Sequence, residues 1–136
     1  MAESRARRLF LWAPVAVYMA GIFYVSAQSS PPAPGGLPDY VLHAIEYFGF
    51  ALVVFRAAAG GLGGAVTAQR LQLTLLITLA YAVSDEVHQL FVPYRTADVR
   101  DVLADMGGVA VGLCACWAWH IISTPVRRTP TLKTQR

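Results

Sequence analysis

Four stretches, 9–27, 40–59, 71–91 and 102–123, are almost continuously apolar, and together they account for most of the 136 residues. Each is about 20 residues long, the length a helix needs to cross the ~30 Å hydrocarbon core of a bilayer. Inside a membrane every backbone N–H and C=O must be satisfied within its own segment, so the only open fold with spans of this length is helical. The expectation is an all-α chain forming a four-helix transmembrane bundle. It has one domain over 9–123, preceded by a basic N-terminus (1–8) and followed by a basic tail (124–136). Only 14% of the chain is charged, against about 25% in soluble domains, and no soluble unit fits between the spans. The two cysteines, Cys114 and Cys116, lie two apart inside one apolar stretch. On a helix they point in different directions, which suits packing and not a disulfide or zinc pair.

Lysine and arginine set the expected orientation. Arg5, Arg7 and Arg8 precede the first stretch, Arg56 and Arg70 flank the middle loop, and Arg127, Arg128, Lys133 and Arg136 close the chain. The loop 28–39 has no basic residue. Both termini and the middle loop are therefore expected in the cytoplasm, with the first and third loops outside. Basic ends of this kind suit an anionic lipid surface, and a net charge of +3 gives no reason to invoke nucleic acid. The third loop breaks the pattern with Arg95 and Arg100. Positive charge on the disfavoured side points to binding more than to orientation. The first stretch also resembles a secretory signal ending at Val25-Ser26-Ala27, although its apolar run exceeds the usual 7–15 residues. If it is kept, Pro14 should kink it.

With this topology the polar residues inside the spans converge. His43 and Glu46 fall in the outer turns of the second span. Asp85, Glu86, His88 and Gln89 fall in the last turns of the third, and Asp101 and Asp105 in the first turns of the fourth. An ionisable group at membrane depth costs at least ~2.5–3.5 kcal/mol on insertion scales and marks a site by default. Spacing gives each set one face: His43, Glu46 and Tyr47 at i, i+3, i+4; Asp85 and Gln89 at i, i+4; Asp98, Asp101 and Asp105 on one stripe if the fourth helix starts before Asp98. Pro93 is expected to end the third helix, with a turn through Tyr94.

The expectation is an outward-facing pocket lined by His43, Asp85, Glu86, Arg95, Asp101 and Asp105. Asp85 and Glu86, adjacent like charges, and His43 are the catalytic candidates for general acid–base work. Arg95, Gln89, Tyr47, Asp101 and Asp105 are the substrate-binding candidates. The planar fork of Arg95 suits a phosphate headgroup, and at rest it is expected to pair with Asp101 or Glu86. A hard divalent cation shared by Asp85, Glu86, Asp101 and Asp105 is the candidate cofactor. Ser84 is the only nucleophile in view, and a weak one. Each residue also has a plainer use. Asp98 and Asp101 serve equally as N-cap and first-turn acids, and the whole cluster serves as glue between membrane helices. Ala104, Gly108, Gly112 and Cys116 form a ridge of small residues that would let another helix approach Asp105.

These residues resemble the VanZ-like family of small membrane proteins. The likeness rests on His43 and Tyr47, on Asp85-Glu86-Val87-His88-Gln89, on Pro93 and Arg95, and on Asp101, Asp105, Gly108 and Gly112. It covers about residues 38–113. Three positions depart from the pattern: Asp105 stands where the family usually has Asn, Tyr94 where Gly is common, and Tyr40 where Lys often precedes the His. The resemblance implies a multi-pass protein of the cell membrane. Through the founding member, a teicoplanin-resistance factor, it implies a link to glycopeptide susceptibility. Two functions compete. In the first, the site binds or processes a membrane lipid or lipid-linked component of the cell envelope. In the second, the chain is a non-catalytic membrane accessory whose polar cluster holds the bundle together. Transport is a third class and would require a homo-oligomer.

Overall fold

The computed structural model describes residues 4–31 and 34–123; the expected basic tail at 124–136 lies outside them. Four α-helices follow one another: α1 (Arg5–Ser26), α2 (Asp39–Ala59), α3 (Ala68–Gln89) and α4 (Val99–Ser123), with a single 3-10 turn, Pro34–Gly36, before α2. No strand occurs among the described residues. The four apolar stretches thus become four helices, with ends shifted by local capping. The Ser4 side chain accepts the Arg7 N–H, so α1 begins inside the basic run and not at residue 9. Thr67 does the same for Arg70 at the start of α3. α3 stops at Gln89, four residues ahead of Pro93, and the chain turns through Tyr94, whose φ is +64°.

The helices run alternately up and down. The Arg7 guanidinium donates to the Gly60 carbonyl at 3.1 Å, placing the start of α1 beside the end of α2. The Tyr81 hydroxyl donates to the Met19 carbonyl at 2.6 Å, and Ser26 Oγ lies 3.4 Å from His88 Nδ1, so α1 and α3 run parallel. α2 and α4 are likewise parallel and form the most intimate pair. The small ridge makes this possible. A Cβ on Gly108 would run into the Ala44 carbonyl, and one on Gly112 would crowd Ala51 and the Phe48 carbonyl.

α2 is the spine of the core, burying Tyr47, Phe50, Ala51, Val54 and Ala57 against Leu11, Val15 and Ile22 of α1, Ala82 of α3 and Val109 of α4. Phe50 gathers Tyr18 and Tyr81, with ring centroids 5.6 and 5.5 Å away.

α1, α2 and α4 are long and apolar enough to cross a membrane. α3 has the length, at 22 residues, but not the apolarity, which departs from the four equivalent spans expected. Its polar residues are on the inside: Thr74, Thr78, Asp85, Glu86 and Gln89 are buried, while Leu73, Leu75, Leu76, Leu79, Val83 and Val87 are exposed. The threonines satisfy themselves, each hydroxyl donating 2.9 Å to the carbonyl one turn back. An apolar exterior over a polar interior is the pattern of a helix that faces lipid.

Candidate functional site

The alternating topology brings the end of α1, the start of α2, the end of α3 and the start of α4 together, and the side chains there are unusually acidic. Seven of the eight acidic residues, Asp39, Glu46, Asp85, Glu86, Asp98, Asp101 and Asp105, belong to this half of the bundle; the eighth is Glu3. Only two arginines, Arg95 and Arg100, accompany them.

The best-defined contact is between His43 on α2 and Asp105 on α4. His43 Nδ1 lies 3.0 Å from Asp105 Oδ1, with both residues buried. It depends on the close approach at Gly108, one turn along from Asp105. On α3, the Gln89 side-chain amide donates to Asp85 Oδ2 at 3.3 Å, the i, i+4 pairing its spacing allows. Glu86 reaches the loop before α4, where its Oε2 accepts the Asp98 backbone N–H at 2.8 Å. Its other oxygen, Oε1, is buried without a partner, as are the Tyr47 hydroxyl and Arg95 Nε.

Two adjoining cavities open at this end. One, of about 350 Å³, is bordered by His43, Glu46, Asp85 and Tyr18. The other, of about 410 Å³, is bordered by Tyr94, Asp98, Arg100 and Asp101. Asp39, Gln89 and Arg95 line both, so the two spaces meet across these three side chains.

The expected site residues therefore divide by depth. His43, Asp85, Gln89 and Arg95 border the first cavity, and Gln89, Arg95 and Asp101 the second. Glu86, Tyr47 and Asp105 do not line either; they are buried beneath the cavity walls.

Three expectations need correction. Arg95 makes no ion pair with Glu86 or Asp101 among the described residues; His43–Asp105 is the ion pair at this end. Glu86 is occupied instead by a backbone N–H, a donor invisible to charge counting. Asp98 does not join an acidic stripe with Asp101 and Asp105, because α4 begins one residue later. Its carboxylate accepts the Arg100 N–H at 2.8 Å, the act of an N-cap. Finally, the group with metal-ligand geometry among the described residues is Asp39, His43 and Asp101, whose ligand atoms lie within 4.8 Å of one another. It is not the expected quartet of Asp85, Glu86, Asp101 and Asp105. Asp39 was missed because it reads as a loop residue, the last before an apolar run. Its signal was the i, i+4 spacing to His43.

The deciding comparison is with family sequences. The model of the VanZ/LLP1 family matches residues 38–122. The chain belongs to the VanZ/LLP1 family. The matched span covers α2, α3 and nearly all of α4, and so holds the His43–Asp105 pair, the α3 carboxylates and Arg95. α1 lies outside it, yet supplies Tyr18 and Ser26 to the first cavity. No curated protein and no solved structure matches the chain. With its apolar helices, this VanZ/LLP1 chain is a membrane protein.

Proposed function

We propose that the protein is a multi-pass component of the cell membrane whose acidic end faces outward and receives the anionic headgroup of an envelope lipid. The observation that carries this reading is Arg95. It sits where two cavities meet, and its Nε is buried with no acceptor among the described residues. A guanidinium held at a cavity wall without a carboxylate partner is ready for a phosphate or carboxylate from outside the chain. Asp85, Glu86 and His43 are the groups available for proton transfer if the headgroup is processed as well as bound.

Orientation follows from charge. Arg5, Arg7, Arg8, Arg56 and Arg70 all belong to the opposite end of the bundle, which supports placing that end in the cytoplasm. Labelling single cysteines at Gly35 and Leu62, in a chain with Cys114 and Cys116 replaced by Ala, tests it. Gly35→Cys should react from outside and Leu62→Cys from inside, and the reverse overturns the orientation.

For binding, the protein in lipid nanodiscs should retain a polyprenyl phosphate over phosphatidylcholine. Arg95→Lys should lose that preference while keeping its fold, because Lys lacks the fork. An Arg95→Lys protein that binds like wild type overturns the headgroup reading. The family's founding role extends it to teicoplanin susceptibility, tested by the shift in inhibitory concentration on deleting the gene.

A second reading has its own support. His43–Asp105 ties α2 to α4, and Glu86 ties α3 to the loop before α4. Both bonds cross between elements, as the glue of a non-catalytic accessory protein would. His43→Gln separates the two: an unfolded protein favours glue, whereas a folded protein without headgroup binding favours a site.

A further inference from the structure

We infer that Asp39, His43 and Asp101 form a divalent transition-metal site at the junction of the two cavities, with Asp105 as the carboxylate that orients His43. The inference rests on the proposed headgroup site and adds the second positive element of that site.

The geometry comes first. One ligand atom from each of the three residues lies within 4.8 Å of the others. Some point then lies within roughly 2.8 Å of all three atoms, against metal–oxygen and metal–nitrogen bonds of about 2.0–2.2 Å. Small side-chain rotations suffice to close that gap, the Asp39 side chain being exposed.

The histidine is held as ligating histidines are. Its Nδ1 is engaged by Asp105 Oδ1 at 3.0 Å, which fixes the ring and leaves Nε2, without a hydrogen-bond partner among the described residues, as the free donor. A carboxylate behind a histidine, holding its tautomer and raising its basicity, is the usual outer shell of a metal ligand. An Asn at this position could accept the same hydrogen bond but would bring no charge. Asp105 therefore strengthens the donor in this chain.

An independent observation points the same way. Glu86 is 94% buried by the complement of its 6% exposure, and its Oε1 has no partner. Its electrostatic neighbours are Asp101, His43 and Asp85. A desolvated carboxylate oxygen left unsatisfied within electrostatic range of His43 and Asp101 is costly unless positive charge or water meets it. The local balance agrees: seven carboxylates share this half of the bundle with two arginines, and none of the carboxylates is ion-paired to Arg among the described residues.

One imidazole and two carboxylates are borderline-to-hard donors, which suit Zn²⁺ or Mn²⁺ and give no reason to expect copper(I) or an iron–sulfur cluster. Three protein ligands leave coordination positions open. His43 borders the first cavity, Asp101 the second, and Asp39 both, so those positions face the space that Arg95 lines. A phosphate oxygen could then bridge the ion and the guanidinium.

The test is titration of the full chain in nanodiscs with ZnCl₂ and MnCl₂, after removal of metal by chelator, followed by calorimetry and, for Mn²⁺, by loss of the free-ion paramagnetic signal. Wild type should take up one equivalent of at least one of these ions. Asp39→Asn should weaken binding at least about tenfold with only a small fall in the melting temperature of the metal-free protein, since Asp39 is exposed and otherwise serves as a first-turn acid of α2. Asp105→Asn should weaken it by about 10–100-fold, as outer-shell changes do. Arg95→Ala should still bind one equivalent. Absence of saturable binding at one equivalent overturns the inference, and so does an Asp39→Asn protein that titrates like wild type. If Asp105→Asn fails to fold, Asp39→Asn decides alone. The headgroup reading fails separately, by Arg95→Lys retaining lipid preference, so the two failures cannot be confused.

Discussion

The two ends of this bundle carry charge in opposite ways. At the arginine end, Arg7, Arg70 and Arg56 rest on backbone carbonyls or a ring near the surface, and one nitrogen of Arg56, Nη1, is buried without a hydrogen-bond partner among the described residues. Arg7 donates to Gly60, Arg70 donates to the Ala65 carbonyl at 2.6 Å, and the Arg56 guanidinium lies 5.1 Å from the centre of the Phe10 ring. At the acidic end the charged groups turn inward, and His43, Asp85, Glu86 and Asp105 are all buried. The first arrangement ties helix ends with largely exposed contacts, and Arg7 and Arg56 lie at the C-terminus of α2, where cations are favourable. The second places ionisable groups where each must find a partner in the protein or bind something else. Charge that orients a membrane protein can stay at the surface, whereas charge that serves a site must be carried inside by helices packed closely enough to hold it.

Changes at the two ends should therefore differ in cost, and the largest effect should come from the packing that assembles the acidic end. Gly108→Ala puts a methyl into the Ala44 carbonyl and should lower stability by about 2–3 kcal/mol, the upper part of the overpacking range. Urea or SDS unfolding in mixed micelles measures it, and a neutral result would mean that α2 and α4 are not in contact there. Asp105→Ala comes next. It leaves His43 Nδ1 buried without its acceptor and should cost about 1–3 kcal/mol, with Asp105→Asn recovering most of the loss because an amide oxygen can still accept. Equal losses for both would show that the carboxylate's charge, and not the hydrogen bond, holds the pair.

The acidic end was legible in outline and not in detail. Spacing and charge asymmetry placed His43, Asp85, Glu86, Asp101 and Asp105 at one end, because helix period and alternating topology act on each span independently. What could not be read were the contacts that depend on loop geometry. Glu86 meets a backbone N–H of Asp98, a donor every residue has, so no residue type advertised it. Arg95 had two acids in reach by sequence, yet the turn at Tyr94 leaves it without an ion pair among the described residues. Asp39 was overlooked because its helix starts earlier than apolarity suggests. The weak apolarity of α3 was visible; that Thr74, Thr78, Asp85, Glu86 and Gln89 face inward required the packed partner.

Two smaller effects sharpen the comparison. Arg70→Ala removes an exposed hydrogen bond to a carbonyl and should cost less than about 1 kcal/mol, well below Asp105→Ala in the same unfolding assay; parity would erase the distinction between the ends. Tyr94→Gly should be smaller still and opposite in sign. Tyr94 is 96% exposed and holds φ at +64°, a conformation that costs an L-residue roughly 1–2 kcal/mol. Relief of that cost exceeds the entropy glycine loses, about 0.5–1 kcal/mol, so thermal unfolding should move up slightly. A fall would show that the tyrosine ring contributes at the bilayer surface.

The inward-facing polar residues of α3 bear on how the chain is made. A segment emerging from the ribosome is judged by the insertion machinery largely on its own apolarity, and Asp or Arg near the centre of a candidate costs ~2.5–3.5 kcal/mol on that scale. α3 carries Asp85 and Glu86 near its end, and the Asp98 N–H that meets Glu86 has not yet been made when α3 leaves the ribosome. α4, strongly apolar and only nine residues further on, follows at once. Biogenesis should thus treat α3 and α4 as one hairpin, with α3 committing to the bilayer only when α4 arrives. Shortening α4 would then change where α3 resides, although not one residue of α3 had been touched.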